Sequence, residues 1–163
     1  MGYAFVSAAP GGGSNREKEP AESRRRPRIL VVDDDEHDRE MYGMMLCYNG
    51  FDVVFAGSIG AGLELAMQYA PDLVLLDLGL PDGNGLELCA QLRRHSANPK
   101  VPVVVLSGFR RNELGETADR YGCADYVEKP ASPLDVMRRI EELIGKPPLA
   151  GDGELPSVLD RRD

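Results

Sequence analysis

Residues 72–77 read DLVLLD, four aliphatic residues enclosed by two acids. No polar residue alternates with the apolar ones, so a strand here has both faces covered. Residues 101–107, VPVVVLS, have the same character, and RILVV (28–32) is a third short apolar run. FDVVFA (51–56) and ADYVEK (124–129) add two β-rich stretches. The segments between these five follow a helical period. In 35–50 it places Met41, Met44, Met45 and Tyr48 on one inward face, with Gly50 as the stop. Ser58 is placed to cap IGAGLELAMQYA, whose Leu63, Ala66, Met67 and Ala70 share a face. Residues 86–95 turn Leu86, Cys89, Ala90 and Leu92 inward, and 112–122 form a polar, marginal helix. In 130–145 the expected N-cap is Ser132, followed by Pro133 at the first helical position. The stripe behind them is Leu134, Met137, Ile140, Leu143 and Ile144. Gly43, Gly60 and Gly62 each weaken their helices by roughly 1 kcal/mol relative to Ala. Five strands alternating with five helices define an α/β chain, a parallel sheet between two helix layers.

The chain has 163 residues, 42% of them hydrophobic and 28% charged, the composition of a folded globular domain. Residues 28–145 hold 11 Lys and Arg against 20 Asp and Glu, which argues against a phosphate-backbone binder and suits a protein that collects cations. Cys47, Cys89 and Cys123 are far apart in sequence, with no metal-ligand spacing, and read as reduced thiols. The start lacks a signal-peptide pattern and no apolar run spans a bilayer, so a cytoplasmic protein is expected. Residues 1–27, rich in Gly, Pro and charge, read as a disordered arm, and 146–163 as a flexible tail, around one domain over 28–145.

Ligands of such a sheet sit at the carboxyl ends of its strands. The first strand ends in Asp33-Asp34-Asp35, the third in Asp77, the fourth in Ser107 and the fifth in Lys129-Pro130. Clustered carboxylates resist joint ionisation, and a hard divalent cation such as magnesium or manganese removes that cost. Lysine and hydroxyl groups beside them suit a transferring phosphoryl group. Asp77, central in the sheet, is the natural nucleophile, able to take phosphate as an acyl phosphate. Taken singly, each of these residues is more simply a cap or turn residue; their meeting on one rim carries the reading. His37 and His95 read as solvent-facing.

At these residues the chain resembles the response regulator receiver domain of two-component signalling: ILVVDDDE, PDLVLLDLGLPDGNGLEL, VPVVVLS and GCADYVEKP stand in the family's order over about residues 28–145. The resemblance implies a flavodoxin-like sheet of five parallel strands in the order 2-1-3-4-5, doubly wound by five helices. It implies Asp77 as phosphoacceptor, and Mg2+ held by Asp34, by Asp33 largely through water, by Asp77 and by the Gly79 carbonyl. Lys129 would bind phosphate, after a cis Lys129–Pro130 bond, and Ser107 and Tyr126 would be the switch pair. Asp35 is expected to start the first helix.

The implied donor is a phosphohistidine on a sensor histidine kinase or a histidine phosphotransfer protein. The implied output is a face made by the fourth helix, fifth strand and fifth helix, which carries Arg110, Arg111, Glu113, Arg138 and Arg139. With only a short segment after Gly145, a stand-alone receiver acting on a separate effector is expected, with no direct DNA binding or membrane contact, and a phosphorylation-dependent homodimer as one form of output. The protein is expected to be a self-modifying switch, not a turnover enzyme. Gly79 and Phe109, where many members carry polar groups, imply slow self-dephosphorylation. A phosphorelay intermediate or phosphate sink, and a docking or dimerisation receiver without regulated phosphorylation, are the alternatives within the family. An Asp-x-Asp phosphohydrolase lacks its second acid, because Leu78 and Gly79 follow Asp77, and no nucleotide-binding glycine motif is present.

Overall fold

A computed structural model describes residues 25–148 and 155–163. Its elements are β1 (Arg28–Val32), α1 (Glu36–Tyr48), β2 (Asp52–Ala56), α2 (Ile59–Tyr69), β3 (Leu73–Leu76), the two-residue strands β4 (Gly79–Leu80) and β5 (Gly83–Asn84), α3 (Leu86–His95), β6 (Val103–Ser107), α4 (Arg111–Arg120), β7 (Asp125–Glu128), α5 (Pro133–Ile144) and β8 (Val158–Arg162). The main sheet is parallel, in the order β7-β6-β3-β1-β2-β8. Its first five members carry the order 2-1-3-4-5, doubly wound by five helices. From β1 the chain steps to β2 on one side and returns to β3 on the other, which opens the switch-point crevice beyond β1 and β3. Val32 pairs with Leu76 across that crevice, so the next residue of each strand, Asp33 and Asp77, emerges side by side.

Strand side chains alternate between two cores. Leu30, Val32, Val74, Leu76, Val103 and Val105 meet α2 and α3 on one face. Ile29, Val31, Phe55, Leu75, Val104 and Leu106 meet α1 and α5 on the other. Nearly every residue of β1, β2, β3 and β6 is buried, as expected for strands covered on both sides.

The inward faces of four helices differ from the expected stripes. In α1 the buried residues are Arg39, Tyr42, Gly43 and Leu46, while Met44 and Tyr48 are 72% and 91% exposed. The helix points a glycine and an arginine at the sheet, which disguised its true stripe. In α2 the buried set is Ile59, Ala61, Gly62, Leu65 and Ala66, and Met67 is exposed. In α5 it is Val136, Met137 and Ile140, and Leu134 is 81% exposed. In α3 Leu88 is buried beside Leu86, Cys89 and Leu92, while Ala90 is only partly covered.

The expected flexible tail is corrected over its last residues. β8 joins the sheet as a sixth strand, parallel to β2, with a bulge between Val53 and Val54. Val158 and Leu159 pack on opposite cores. The Arg161 guanidinium lies 4.8 Å from the Phe55 ring centroid, and Arg162 reaches Gln68 at 2.7 Å and Glu64 at 3.3 Å. At the other end, residues 1–24 of the expected arm lie outside the described residues, as do 149–154 of the tail. The arm's last residues are fixed on the domain: Arg25 pairs with Asp72 at 2.8 Å, and the Pro27 carbonyl accepts from the Asp52 amide.

Gly43 shows what the sequence concealed. A Cβ there would sit 2.3 Å from Phe55 Cζ. Gly43→Ala should therefore destabilise the fold by ~1–3 kcal/mol through overpacking, although alanine favours an isolated helix by about 1 kcal/mol. Urea unfolding followed by circular dichroism checks the sign; a more stable variant would show that the ring yields freely.

Candidate functional site

The rim beyond β1, β3, β6 and β7 gathers Asp33, Asp34, Asp77, Ser107 and Lys129. Asp33 is buried; its amide donates to the Ala56 carbonyl at 3.0 Å, and its Oδ1 accepts from the Asp35 amide at 2.9 Å. The Asp77 amide donates to the Val32 carbonyl at 2.8 Å, which continues the β1–β3 ladder and sets the partly buried carboxylate next to Asp33. Asp34 is exposed. One carboxylate oxygen from each of Asp33, Asp34 and Asp77 lies within 4.8 Å of the others.

Lys129 reaches into this group from the end of β7, before a cis Lys129–Pro130 bond. Its amide donates to the Ser107 carbonyl at 2.8 Å. Its Nζ donates to Asp33 Oδ2 and Asp38 Oδ2, each at 2.8 Å, and stands 3.6 Å from Asp77 Oδ2. Burial disfavours the ammonium, but its bonds to Asp33 and Asp38 and the charges of Asp33 and Asp77 outweigh that and hold its pKa above the ordinary lysine value. Burial likewise pushes the Asp33 carboxyl above its ordinary value, and Lys129 offsets only part of the rise.

Ser107 is buried at the end of β6, and its Oγ accepts from the Phe109 amide at 3.2 Å. The Tyr126 ring is also buried, with its hydroxyl donating to the Phe109 carbonyl at 2.8 Å. Burial raises the pKa of this phenol, and a hydrogen bond with Ser107 opposes the rise. Phe109 itself is 54% exposed. Gly79 is exposed two residues past Asp77, and nothing lies within 4 Å of where its Cβ would be. Asp35 is the N-cap of α1, accepting from the Asp38 amide at 3.1 Å. His37 and His95 are exposed.

Three further residues shape the site and were not singled out in the sequence. Asp38 follows from the helix period, one turn after Asp35 and facing the rim. Asp82 binds the amides of Ile59 at 2.8 Å and Gly60 at 3.0 Å, which pins the β4–β5 hairpin to the start of α2. The buried Arg39 donates to the Asp33 carbonyl and pairs with Asp163 at 3.3 Å. Gly85 is required for packing, since a Cβ there would lie 2.4 Å from the Asp77 carbonyl oxygen.

The donor set can be tested for a metal by its charge. Asp33, Asp34, Asp38 and Asp77 face one ammonium, so the rim keeps excess negative charge, and all its free donors are hard oxygens. This composition fits a small hard divalent cation on Asp33, Asp34 and Asp77.

Comparison with family models matches residues 29–141 to the response regulator receiver domain. The chain is 37% identical over 117 residues to the phosphate regulon transcriptional regulatory protein PhoB of Escherichia coli, covering 72% of this chain and 51% of that protein. It is 39% identical over 115 residues to the DNA-binding response regulator MtrA of Mycolicibacterium smegmatis, covering 71% and 49%. The chain thus spans about half the length of these curated relatives. Among solved structures, a CheY-like receiver domain protein from Methanospirillum hungatei superposes with a TM-score of 0.67 at 29% identity, covering 72% of this chain and 92% of that one. The receiver domain of NtrX from Brucella abortus gives 0.65 at 30% identity, covering 71% and 97%. No helix of the described residues is long and apolar enough to cross a membrane.

The raised Asp33 pKa has a measurable sign. A cation needs the carboxylate deprotonated, so protons compete with it once the pH falls to that pKa. Calorimetric titration with Mg2+ should show affinity falling to half its neutral-pH value at a pH above the ordinary aspartate value of about 3.9. Affinity that holds constant until below that value would contradict the desolvated Asp33.

Proposed function

The chain belongs to the response regulator receiver family, and on that premise we propose that it is a phosphorylation switch whose acceptor is Asp77. The carrying observation is the meeting of the Asp33, Asp34 and Asp77 carboxylates within 4.8 Å, with Lys129 Nζ 3.6 Å from Asp77 Oδ2. In this reading an Asp77 carboxylate oxygen attacks the phosphorus of a phosphohistidine on a sensor kinase or histidine phosphotransfer protein. The phosphorus–nitrogen bond breaks, the imidazole leaves as the neutral base once protonated, and an acyl phosphate remains on Asp77.

Asp33, Asp34, Asp77 and the Gly79 carbonyl would hold Mg2+, or Mn2+, which when bound neutralises charge between the acid and the anionic donor. Lys129 supplies the protein's own positive charge to the transferred group. Asp33, fixed by the Asp35 amide and by Lys129, keeps the ammonium on the rim before transfer. Ser107 Oγ, which accepts from the Phe109 amide, has its own O–H to donate to a phosphoryl oxygen.

The route outward is short. Tyr126 is bonded to the Phe109 carbonyl just beyond Ser107. Arg111, at the start of α4, donates to the Tyr126 carbonyl at 3.2 Å and pairs with Asp125 at 3.4 Å. Arg139 of α5 also pairs with Asp125. A shift at Ser107 therefore acts directly on the α4–β7–α5 face, where the switch would bias partner binding or a homodimer. The acidic receiver body is unsuited to the DNA backbone. Any DNA contact in a protein that contains it belongs to another segment or to a separate effector.

Brief treatment with acetyl phosphate and Mg2+, read by intact mass, should add one phosphoryl group to the protein. Asp77→Asn should add none, and Lys129→Ala should still be modified but lose the phosphorylation-dependent change at Tyr126, read by NMR. Label retained on Asp77→Asn would overturn the assignment. Lacking a polar side chain at Gly79 and Phe109 to place a hydrolytic water, the acyl phosphate should persist for minutes or longer. A half-life of seconds, measured by loss of the added mass, would show that another group activates water.

A further inference from the structure

Away from the acidic rim, Cys89 and Cys123 meet. Their sulfurs are 3.2 Å apart, although 34 residues separate them in sequence. Cys89 is fully buried on α3, and Cys123 is partly exposed in the turn between α4 and β7. Arg93, one helical turn after Cys89, donates to the carbonyls of Gly122 at 2.8 Å, Val101 at 2.9 Å and Pro99 at 3.0 Å. Its guanidinium is thereby fixed beside Cys123. We propose that Cys89 and Cys123 form a reversible dithiol–disulfide couple that responds to peroxide.

The two sulfurs have different roles. The hydrogen bond from Cys89 and the charge of Arg93 hold the Cys123 thiol below its ordinary pKa, against burial and Asp119. Cys123 is thus both the accessible sulfur and the more readily ionised one, while the Cys89 thiol is held protonated by that hydrogen bond and by burial. Cys47, on α1 across the sheet, has its thiol pushed up by burial and near Asp52, the opposite environment.

The chemistry balances with hydrogen peroxide as oxidant. The Cys123 thiolate attacks one peroxide oxygen and the O–O bond breaks. The departing hydroxide takes a proton to leave as water, and Cys123 becomes a sulfenic acid. The Cys89 sulfur then attacks the Cys123 sulfur; its S–O bond breaks, and the hydroxyl leaves as water with the Cys89 proton. Two thiols lose two electrons, and one peroxide becomes two waters. The sulfurs need to close by about 1 Å to reach bonding distance. A dithiol reductant reverses the change, so in a reducing compartment the bond is transient. It would tie α3 to the α4–β7 turn, which adjoins the face through which the phosphorylation switch is read.

The test is mild peroxide on the full chain carrying Cys47→Ser, followed by intact mass and by peptide mapping without reduction. The expected product is a monomer lighter by two hydrogens, with the Cys89 and Cys123 peptides joined, restored by dithiothreitol. In Cys89→Ser the sulfenic acid at Cys123 should persist and be trapped by dimedone, whereas the parent shows no such adduct. An unchanged mass, a disulfide between chains, or Cys123 over-oxidised equally fast with and without Cys89 would each overturn the proposal. The parent chain's peptide map decides the matter even if Cys89→Ser fails to fold.

Discussion

A single ammonium shared among carboxylates governs this molecule's chemistry. Lys129 Nζ bridges Asp33 and Asp38 at 2.8 Å and leaves Asp77 slightly farther away. It offsets the cost of holding the buried Asp33 carboxylate among other acids. One lysine does not neutralise four acids, however. The residual negative charge suits a hard cation, and Lys129 stands farther from Asp77 than from Asp33 or Asp38. The placing of Asp33 and Asp38 on the rim is thus tied to one side chain.

The sheet was legible because its strands carry their own signature. DLVLLD and VPVVVLS have no polar side to misplace, so their burial and parallel pairing follow directly. The polar residues that end them lie at one rim by topology alone. Helix faces were harder to read. α1 turns Gly43 and Arg39 inward, one to admit the Phe55 ring and the other to bond the Asp33 carbonyl, and exposes Met44. A pattern of apolar residues cannot register an inward face made partly of a glycine and an arginine. Asp38 and Asp82 were missed for a related reason: each reads as an ordinary surface acid until the fold brings Lys129 or the α2 amides to it.

β8 was invisible for a further reason. VLDRR has little intrinsic strand character. It is held by partners distant in sequence: the free edge of β2, the Phe55 ring beneath Arg161, and Glu64 and Gln68 beside Arg162. Asp163, next to this strand, contacts the same Arg39 that holds the Asp33 carbonyl. The sheet margin and the acidic rim therefore share a buried guanidinium.

Addition of β8 moves that margin of the sheet from the apolar β2 to a strand carrying Asp160, Arg161 and Arg162. Charged side chains along an outermost strand discourage its pairing with a neighbouring sheet. Among the described residues the opposite margin is β7, bounded by Asp125 and Glu128, whose like charges would oppose each other in a symmetric pair. Both margins are therefore charged, which disfavours lateral growth of the sheet from either end.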